Sequence, residues 1–173
     1  MIEQIKRLAK MRPKVFGADG HRWRWNPPLP ETKVVSFERE HGIRLPEEYR
    51  SFITTIANGG AGPFYGIFRF GETDESPMSD FIGDLSRPFP YTNASNDLTG
   101  KPPEDLHESD EDEYWRQIEE FEKRYWAPVA GPEAGKLWTD DRASDNGWIP
   151  MRVTFAQWYE HWLEKSLRGE DAT

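Results

Sequence analysis

The apolar positions of the N-terminal third recur at helical spacing in two stretches. Ile2, Ile5 and Leu8 share one face of a first predicted helix, and Pro13 stops it. Val34 lies on the apolar face of a second, PETKVVSFEREHG, whose last glycine suits the left-handed position after a final helical turn. The proline-rich and glycine-rich sequence between the two stretches predicts a loop.

A third helix is predicted in the segment LPEEYRSFITTIANGG. Pro46 fits the first helical position, where its missing N–H has no partner to lose, and the two glutamates after it favour the positive end of the helix dipole. The segment's core-facing positions follow the spacing i, i+3, i+4, i+7: Tyr49, Phe52, Ile53 and Ile56. The Asn-Gly-Gly at 58–60 ends the helix, and alternating residues in FYGIFRF then predict a strand over 64–70.

The C-terminal half contains a loop, a strand and two more helices. Residues 71–103 are rich in turn formers, and the acidic run after them leads into a helix with apolar residues on one face: Tyr114, Ile118, Phe121 and Tyr125. The segment GKLWTDD predicts a short strand. The last helix opens with a capping box at Thr154 and Gln157, and its apolar face is Phe155, Trp158, Tyr159, Trp162 and Leu163. Early helices and few short strands indicate an α+β fold, which we expect to be one domain over residues 1–173.

The composition indicates the cellular compartment in which the protein is expected. The chain has no cysteine, so disulfides and cysteine-based metal sites are excluded and a reducing compartment is natural. The N-terminus has no apolar core of a secretory signal, and no stretch approaches the roughly 20 apolar residues that a membrane span needs. We therefore expect a cytoplasmic protein with no membrane association.

The charge of the chain limits its partners. A formal net charge of −9 would repel the phosphates of nucleic acid, and it permits a basic protein partner. A need for solubility alone would explain the same net charge equally well. The run EDLHESDEDE likewise indicates either a solvated surface or a patch that accelerates association with a basic partner.

No catalytic, cofactor or metal site is predicted. The segment NGGAGPFYG lacks the Gly-Lys-Ser/Thr of a phosphate-binding loop and follows a helix, so it is read as a helix stop and a tight turn. The segment WTDDRASDNGW gathers acidic residues, but counted from Asp141 it has Ala143 at the third position and Arg152 at the twelfth, where a calcium loop has oxygen ligands. The four histidines have no metal-ligand spacing, and no nucleophile motif is present.

Several segments resemble the SMI1/KNR4 family of the SUKH superfamily: GIRLPEEYRSFITTIANGGAGPFYGIFRFGE, DLSRPFP, GPEAGKLWTDDRASDNGWIPM and TFAQWYEHWLE. The resemblance runs from about Val34 to Leu163. It implies a single α+β domain with a small, mostly antiparallel sheet and about four to five helices. It also implies a non-enzymatic protein, which in many bacterial members is an immunity protein that neutralises a toxin and in a fungal branch is a regulator of cell-wall synthesis.

The leading hypothesis is accordingly an immunity protein, a monomer or weak dimer, whose partner is a basic toxin domain. A regulatory scaffold with several partners and a small hydrolase with acidic site residues are the alternatives. The turn after the predicted strand is either a charged turn or a partner surface. The candidate partner-binding residues are Trp138, Asp140, Asp141, Arg142, Asp145 and Trp148, with the acidic residues Asp110, Glu111, Asp112 and Glu113.

Overall fold

A computed structural model describes residues 2–71, 85–86, 88–89, 91–94, 130–141 and 147–170. The chain divides into two compact units, and the single-domain organisation stays a prediction. The first unit comprises Met1–Phe37, Glu47–Met78 and Thr154–Thr173, and the second comprises Glu38–Pro46 and Ser79–Val153. The predicted helix over 114–125 lies outside the described residues.

The described elements are α1 (Ile2–Met11), α2 (Ala18–His21), α3 (Glu31–His41), α4 (Glu47–Ser51), a π-helical turn (Phe52–Ile56), β1 (Lys136–Asp141), β2 (Gly147–Thr154) and α5 (Phe155–Arg168). The two strands pair in one antiparallel sheet, so the predicted α+β class is confirmed. Within the described ranges, no helix has both the length and the apolar character to cross a bilayer.

Helix α5 begins at the predicted capping box. The Gln157 N–H donates to Thr154 Oγ1 at 3.4 Å, and the Thr154 N–H donates to Gln157 Oε1 at 3.0 Å. These reciprocal bonds satisfy two donors that a helix start otherwise leaves open. The predicted apolar face is confirmed: four of its five residues are buried and Trp158 is half-buried.

Helix α5 provides the surface on which the first unit packs. Ile5 and Leu8 of α1 are almost fully buried, and Arg12 Nη1 donates to the Ser166 carbonyl at 2.8 Å beyond the end of α1. The Phe52 ring lies 4.9 Å from that of Phe155, the first residue of α5. Burial of side chains of this size contributes about 1.5–3 kcal/mol each, so α5 joins the N-terminal helix and the third predicted helix in one core.

Helix α4 ends in a π-helical turn that the sequence pattern did not predict. The Ala57 N–H donates to the Phe52 carbonyl at 3.0 Å, a bond that spans five residues instead of four. The Thr55 hydroxyl donates back to the Ser51 carbonyl at 2.7 Å, and such bonds commonly bend helices. The widened turn leads into extended backbone at Ala57 and then into Asn58 and the two glycines.

The two glycines after the helix form the middle of three extended segments. Gly60 exchanges two backbone hydrogen bonds with Ile67, of 2.7 and 2.8 Å, and it forms an isolated bridge with Trp25 on its other side. A Cβ on Gly60 would lie 2.4 Å from the Arg24 carbonyl oxygen. The residue also has a φ of +113°, which side-chain-bearing residues rarely adopt. Only glycine fits this position.

The predicted strand over 64–70 is wrong. The chain forms a turn at its start, where the Gly66 N–H donates to the Pro63 carbonyl at 3.0 Å and Phe64 has a left-handed φ of +53°. The strand pairing is limited to the isolated bridge between Gly60 and Ile67. Alternation of side chains was therefore a misleading pattern, because a Pro-Phe-Tyr-Gly turn interrupts the pleat.

The Ala61 carbonyl joins the glycine segment to the rest of the first unit. It accepts a hydrogen bond from Tyr159 Oη at 2.5 Å and another from Trp25 Nε1 at 3.2 Å. Tyr159 is fully buried, and this burial raises the pKa of its phenol above the usual value. The phenol therefore stays a neutral donor.

His21 is a buried titratable residue of the same unit. Its Nδ1 accepts a hydrogen bond from the Trp23 N–H at 3.0 Å, which requires an unprotonated Nδ1. Among the described residues, its Nε2 has no hydrogen-bond partner. Burial lowers the pKa of His21, while Asp19 opposes this with a smaller upward effect.

We expect Gly60→Ala to lower the free energy of unfolding by more than about 3 kcal/mol, because the new methyl overlaps backbone atoms. Gly42→Ala is the matched control: its φ is +63°, but a Cβ there meets nothing within 4 Å. We expect it to cost only about 1 kcal/mol. Urea denaturation measures both values, and equal losses would contradict the close approach at Gly60.

We expect Tyr159→Phe to lower the free energy of unfolding by about 1–2 kcal/mol, because a buried hydrogen bond is lost while the ring stays. Tyr65→Phe removes a hydroxyl from a side chain that is 66% exposed, and we expect it to change stability by less than about 0.5 kcal/mol. Chemical denaturation of the two variants compares them. An unchanged stability of Tyr159→Phe would rule out a structural role for this bond.

We expect stability to fall as the pH drops below 6.5, the ordinary pKa of histidine. The folded state holds His21 neutral at a pH where the unfolded chain binds a proton, so acid favours unfolding. His21→Gln should flatten the pH dependence of the melting temperature between about pH 7 and pH 5. His161→Gln, at an exposed position on α5, is the control for the substitution itself.

Candidate partner-binding site

The hairpin of the second unit carries both candidate tryptophans. Trp138 lies in β1 and Trp148 in β2, and the two strands are hydrogen-bonded neighbours. Both side chains are half-buried. The predicted strand GKLWTDD is confirmed as β1, whereas β2 was not predicted and its segment GWIPMRVT contains a proline that weakens a strand pattern.

Phe89 brings the two tryptophans together. Its ring centroid lies 4.8 Å from that of Trp138 and 6.4 Å from that of Trp148, both with steep edge-to-face geometry. Tyr91 adds a further ring at 5.8 Å from Phe89, which is itself only 3% exposed. Such aromatic pairs stabilise by about 0.5–1.5 kcal/mol beyond their buried area. The two tryptophans are thus part of one aromatic cluster centred on Phe89.

Backbone contacts fix the position of Phe89. Its N–H donates to the Ala130 carbonyl at 3.1 Å. At the adjoining Gly131, a Cβ would lie 3.0 Å from Pro88 Cβ, so the segment that carries Phe89 lies close against the turn before β1. That turn is closed by a hydrogen bond of 2.9 Å from the Lys136 N–H to the Glu133 carbonyl.

Two polar features accompany the aromatic cluster. The Trp138 Nε1–H is buried and has no acceptor among the described residues. On β2, Arg152 has a left-handed φ of +58°, and its Nη2 donates to Asn93 Oδ1 at 3.2 Å. The arginine is exposed, so a cationic group stands on the strand next to the candidate site.

The acidic candidates are placed only in part. Asp140 and Asp141 are the last two residues of β1, immediately before the segment that leads to β2. Arg142, Asp145 and the run Asp110, Glu111, Asp112 and Glu113 lie outside the described residues. Of the candidate set, the structure brings together Trp138 and Trp148, and the roles assigned to all ten residues stay predictions.

Sequence reasoning missed Phe89 as the residue that links the tryptophans. The segment DLSRPFP, which contains Phe89, belongs to the family resemblance, but nothing in the sequence pattern paired it with the hairpin. The strand β2 was missed for the same reason, because its pairing depends on a contact distant in sequence. Within the described ranges, no group of three or more histidine and carboxylate side chains could hold a metal ion.

Comparison with known proteins identifies the family. Neither a search of curated proteins nor a search of solved structures finds a match. The model of the SMI1 / KNR4 family (SUKH-1) matches residues 28–161, which is most of the chain and includes the helix with the Asn-Gly-Gly stop, both strands and the first half of α5. The resemblance inferred from the sequence is confirmed, and the chain belongs to the SMI1/KNR4 family (SUKH-1).

Proposed function

We propose that this chain is an immunity protein, which binds a cognate bacterial toxin in the cytoplasm and blocks the toxin's active site. The observation that carries the proposal is membership of the SMI1/KNR4 family over residues 28–161. Neutralisation by binding requires no bond to be made or broken by the inhibitor, so the protein acts without catalytic residues and without a cofactor.

The hairpin supports this role as a preorganised binding surface. Because Phe89 contacts both Trp138 and Trp148, their conformations are fixed before a partner arrives. Fixed side chains lose less conformational entropy on binding, which raises affinity without new contacts. The last residues of β1, Asp140 and Asp141, lie two and three residues beyond Trp138 and add negative charge to the same hairpin.

Charge selects the class of toxin. A toxin that attacks nucleic acid is basic around its active site, because it must hold phosphates. An inhibitor with a net charge of −9 is complementary to such a surface. Electrostatic attraction of this kind raises association rate constants toward about 10⁸–10⁹ M⁻¹s⁻¹ at low salt. Speed matters for an immunity protein, since unbound toxin damages the cell that makes it.

Two alternatives make different predictions for simple experiments. A regulatory scaffold would retain several proteins from its native host, whereas an immunity protein would retain one dominant toxin. A metal-dependent hydrolase would lose its activity with a chelator, whereas toxin binding through side chains would be unaffected by it.

The proposal expects a toxin-like domain to be encoded next to this chain's gene, and the test expresses such a domain with and without the chain. We expect co-expression to rescue growth, and the double variant Asp140→Lys/Asp141→Lys to weaken the rescue. The association rate constant of that variant, measured by stopped-flow fluorescence, should fall by about tenfold or more at low salt. The affected step is association, because opposite charges act before contact.

The matched control is Glu40→Lys/Glu160→Lys, which changes the net charge by the same amount at exposed helical positions. We expect it to lower the rate much less. An equal drop in both variants would mean that only total charge matters, and full rescue by the hairpin variant would contradict the assignment of the site.

A further inference from the structure

Three aromatic side chains of the first unit are exposed and touch one another. Phe16, Phe64 and Tyr65, which we call the aromatic patch, are 52%, 45% and 66% exposed. The Phe16 ring lies 6.3 Å from Phe64 and 5.5 Å from Tyr65. Adjacent exposed aromatic rings are a candidate binding surface.

The backbone under the aromatic patch is held rigidly. A Cβ on Gly17 would lie 1.9 Å from the Phe64 carbonyl oxygen, so the two chain segments touch through their main chains. Phe64 has a left-handed φ of +53°, which is rare for a bulky residue and costs on the order of 1–3 kcal/mol. Tight contacts hold this unfavourable conformation and direct the aromatic side chains outward, where they contribute little to the core.

A groove of about 500 Å³ adjoins Phe16. Its lining runs from Pro13 to Asp19 and includes Arg22 and Trp23. The Trp23 indole N–H donates to the Pro13 carbonyl at 3.3 Å, which joins two of the lining residues. The groove is therefore an open recess beside exposed aromatic rings, with room for a bulky side chain.

The N-terminal segment that supplies the groove has a net charge opposite in sign to that of the whole chain. Residues 1–25 contain seven lysine or arginine and two acidic side chains, a net charge of +5, in a chain whose total is −9. Lys14 and Arg22 line the groove, and Asp19 is the acidic residue among the lining residues. Neither Lys14 nor Arg22 forms an ion pair with any residue that the structure describes.

We propose that the aromatic patch and this groove form a second binding surface, for an acidic polypeptide segment that carries a bulky apolar side chain. The apolar side chain enters the groove against Phe16 and Trp23, and the partner's carboxylates meet Lys14 and Arg22. The proposal goes beyond toxin neutralisation by the hairpin and does not depend on it, since all its residues lie in the first unit.

The geometry favours a polypeptide over nucleic acid and over a membrane. The Phe16 ring is inclined by 89° to Phe64 and by 57° to Tyr65, whereas successive bases stack on flat ring faces that follow the strand. A total charge of −9 repels long polyanions and anionic bilayers beyond the local patch. A short acidic segment contacts only the basic region, and a recess accepts a side chain.

The experiment selects a random peptide library on the full chain and, in parallel, on the variant Phe16→Ser/Tyr65→Ser. Both positions are exposed, so the fold should survive, and circular dichroism checks this. We expect the peptides enriched on the wild type over the variant to combine aspartate or glutamate with phenylalanine, tryptophan or leucine. Enrichment of peptides without acidic residues, or no difference between the two selections, would overturn the proposal.

The best peptide is then measured by fluorescence anisotropy against two further variants. Lys14→Glu/Arg22→Glu should raise its Kd by at least about tenfold, equivalent to about 1.4 kcal/mol. Lys33→Glu/Arg39→Glu makes the same charge change on α3 and should have a much smaller effect, as should Phe68→Ser, which removes another exposed ring. Equal losses in the test and control variants would show that the peptide binds without using this surface.

Salt and competing polyanions complete the test. Binding should weaken as salt screens the contacts of Lys14 and Arg22. An oligothymidylate and vesicles of phosphatidylcholine with phosphatidylserine are the other probes. Tighter binding of either one through Phe16 and Tyr65 would overturn the assignment to a polypeptide. Because none of the variants lies in the hairpin, rescue from a toxin can succeed or fail without affecting this result.

Discussion

The first unit depends on the carbonyl oxygen of Ala61, which accepts hydrogen bonds from Tyr159 and Trp25 at the same time. Ala61 is fully buried, so an unsatisfied oxygen there would cost about 1–3 kcal/mol. One acceptor thereby fixes the terminal helix and the loop around Trp25 relative to the glycine segment. The glycine segment can lie between the chain at Trp25 and the chain at Ile67 only because Gly60 has no side chain. The turn at Pro63–Gly66 lies between the paired residues Gly60 and Ile67 and carries two rings of the aromatic patch.

Local rules predicted the longer helices well, because the residues that start and stop each helix are its neighbours in sequence. The capping box at Thr154 and the stop at Pro13 depend on neighbours in sequence, and the structure confirms both helices. Features that depend on distant neighbours were not predictable in the same way. The alternating pattern after Gly60 was overridden by a turn, and β2 exists because it pairs with β1. The tryptophans were found as candidates by type, but their packing against Phe89 was not.

Total charge is a poor guide to the charge of a particular surface in this protein. The net value of −9 predicted a basic partner, and it remains the main support for a toxin that handles nucleic acid. Residues 1–25 nevertheless carry a net charge of +5. Since screening limits the reach of exposed charges to roughly 10 Å at moderate ionic strength, each surface responds to its own neighbours once partners are close. We infer that the net charge of the whole chain affects how a partner approaches, whereas the charge of each surface affects how the partner binds there.

Backbone strain indicates which surface is built for contact. Among the described residues, the non-glycine positions with positive φ are Arg22, Trp23, Phe64 and Arg152. Two of them line the groove and Phe64 belongs to the aromatic patch. Strained residues persist only where surrounding contacts impose them, and they concentrate at functional sites. Their side chains here are aromatic or cationic, which are types that contribute most to binding interfaces. Three of the four strained positions therefore lie in the surface proposed to bind an acidic segment, and the fourth, Arg152, lies on β2 of the second unit beside the candidate tryptophans.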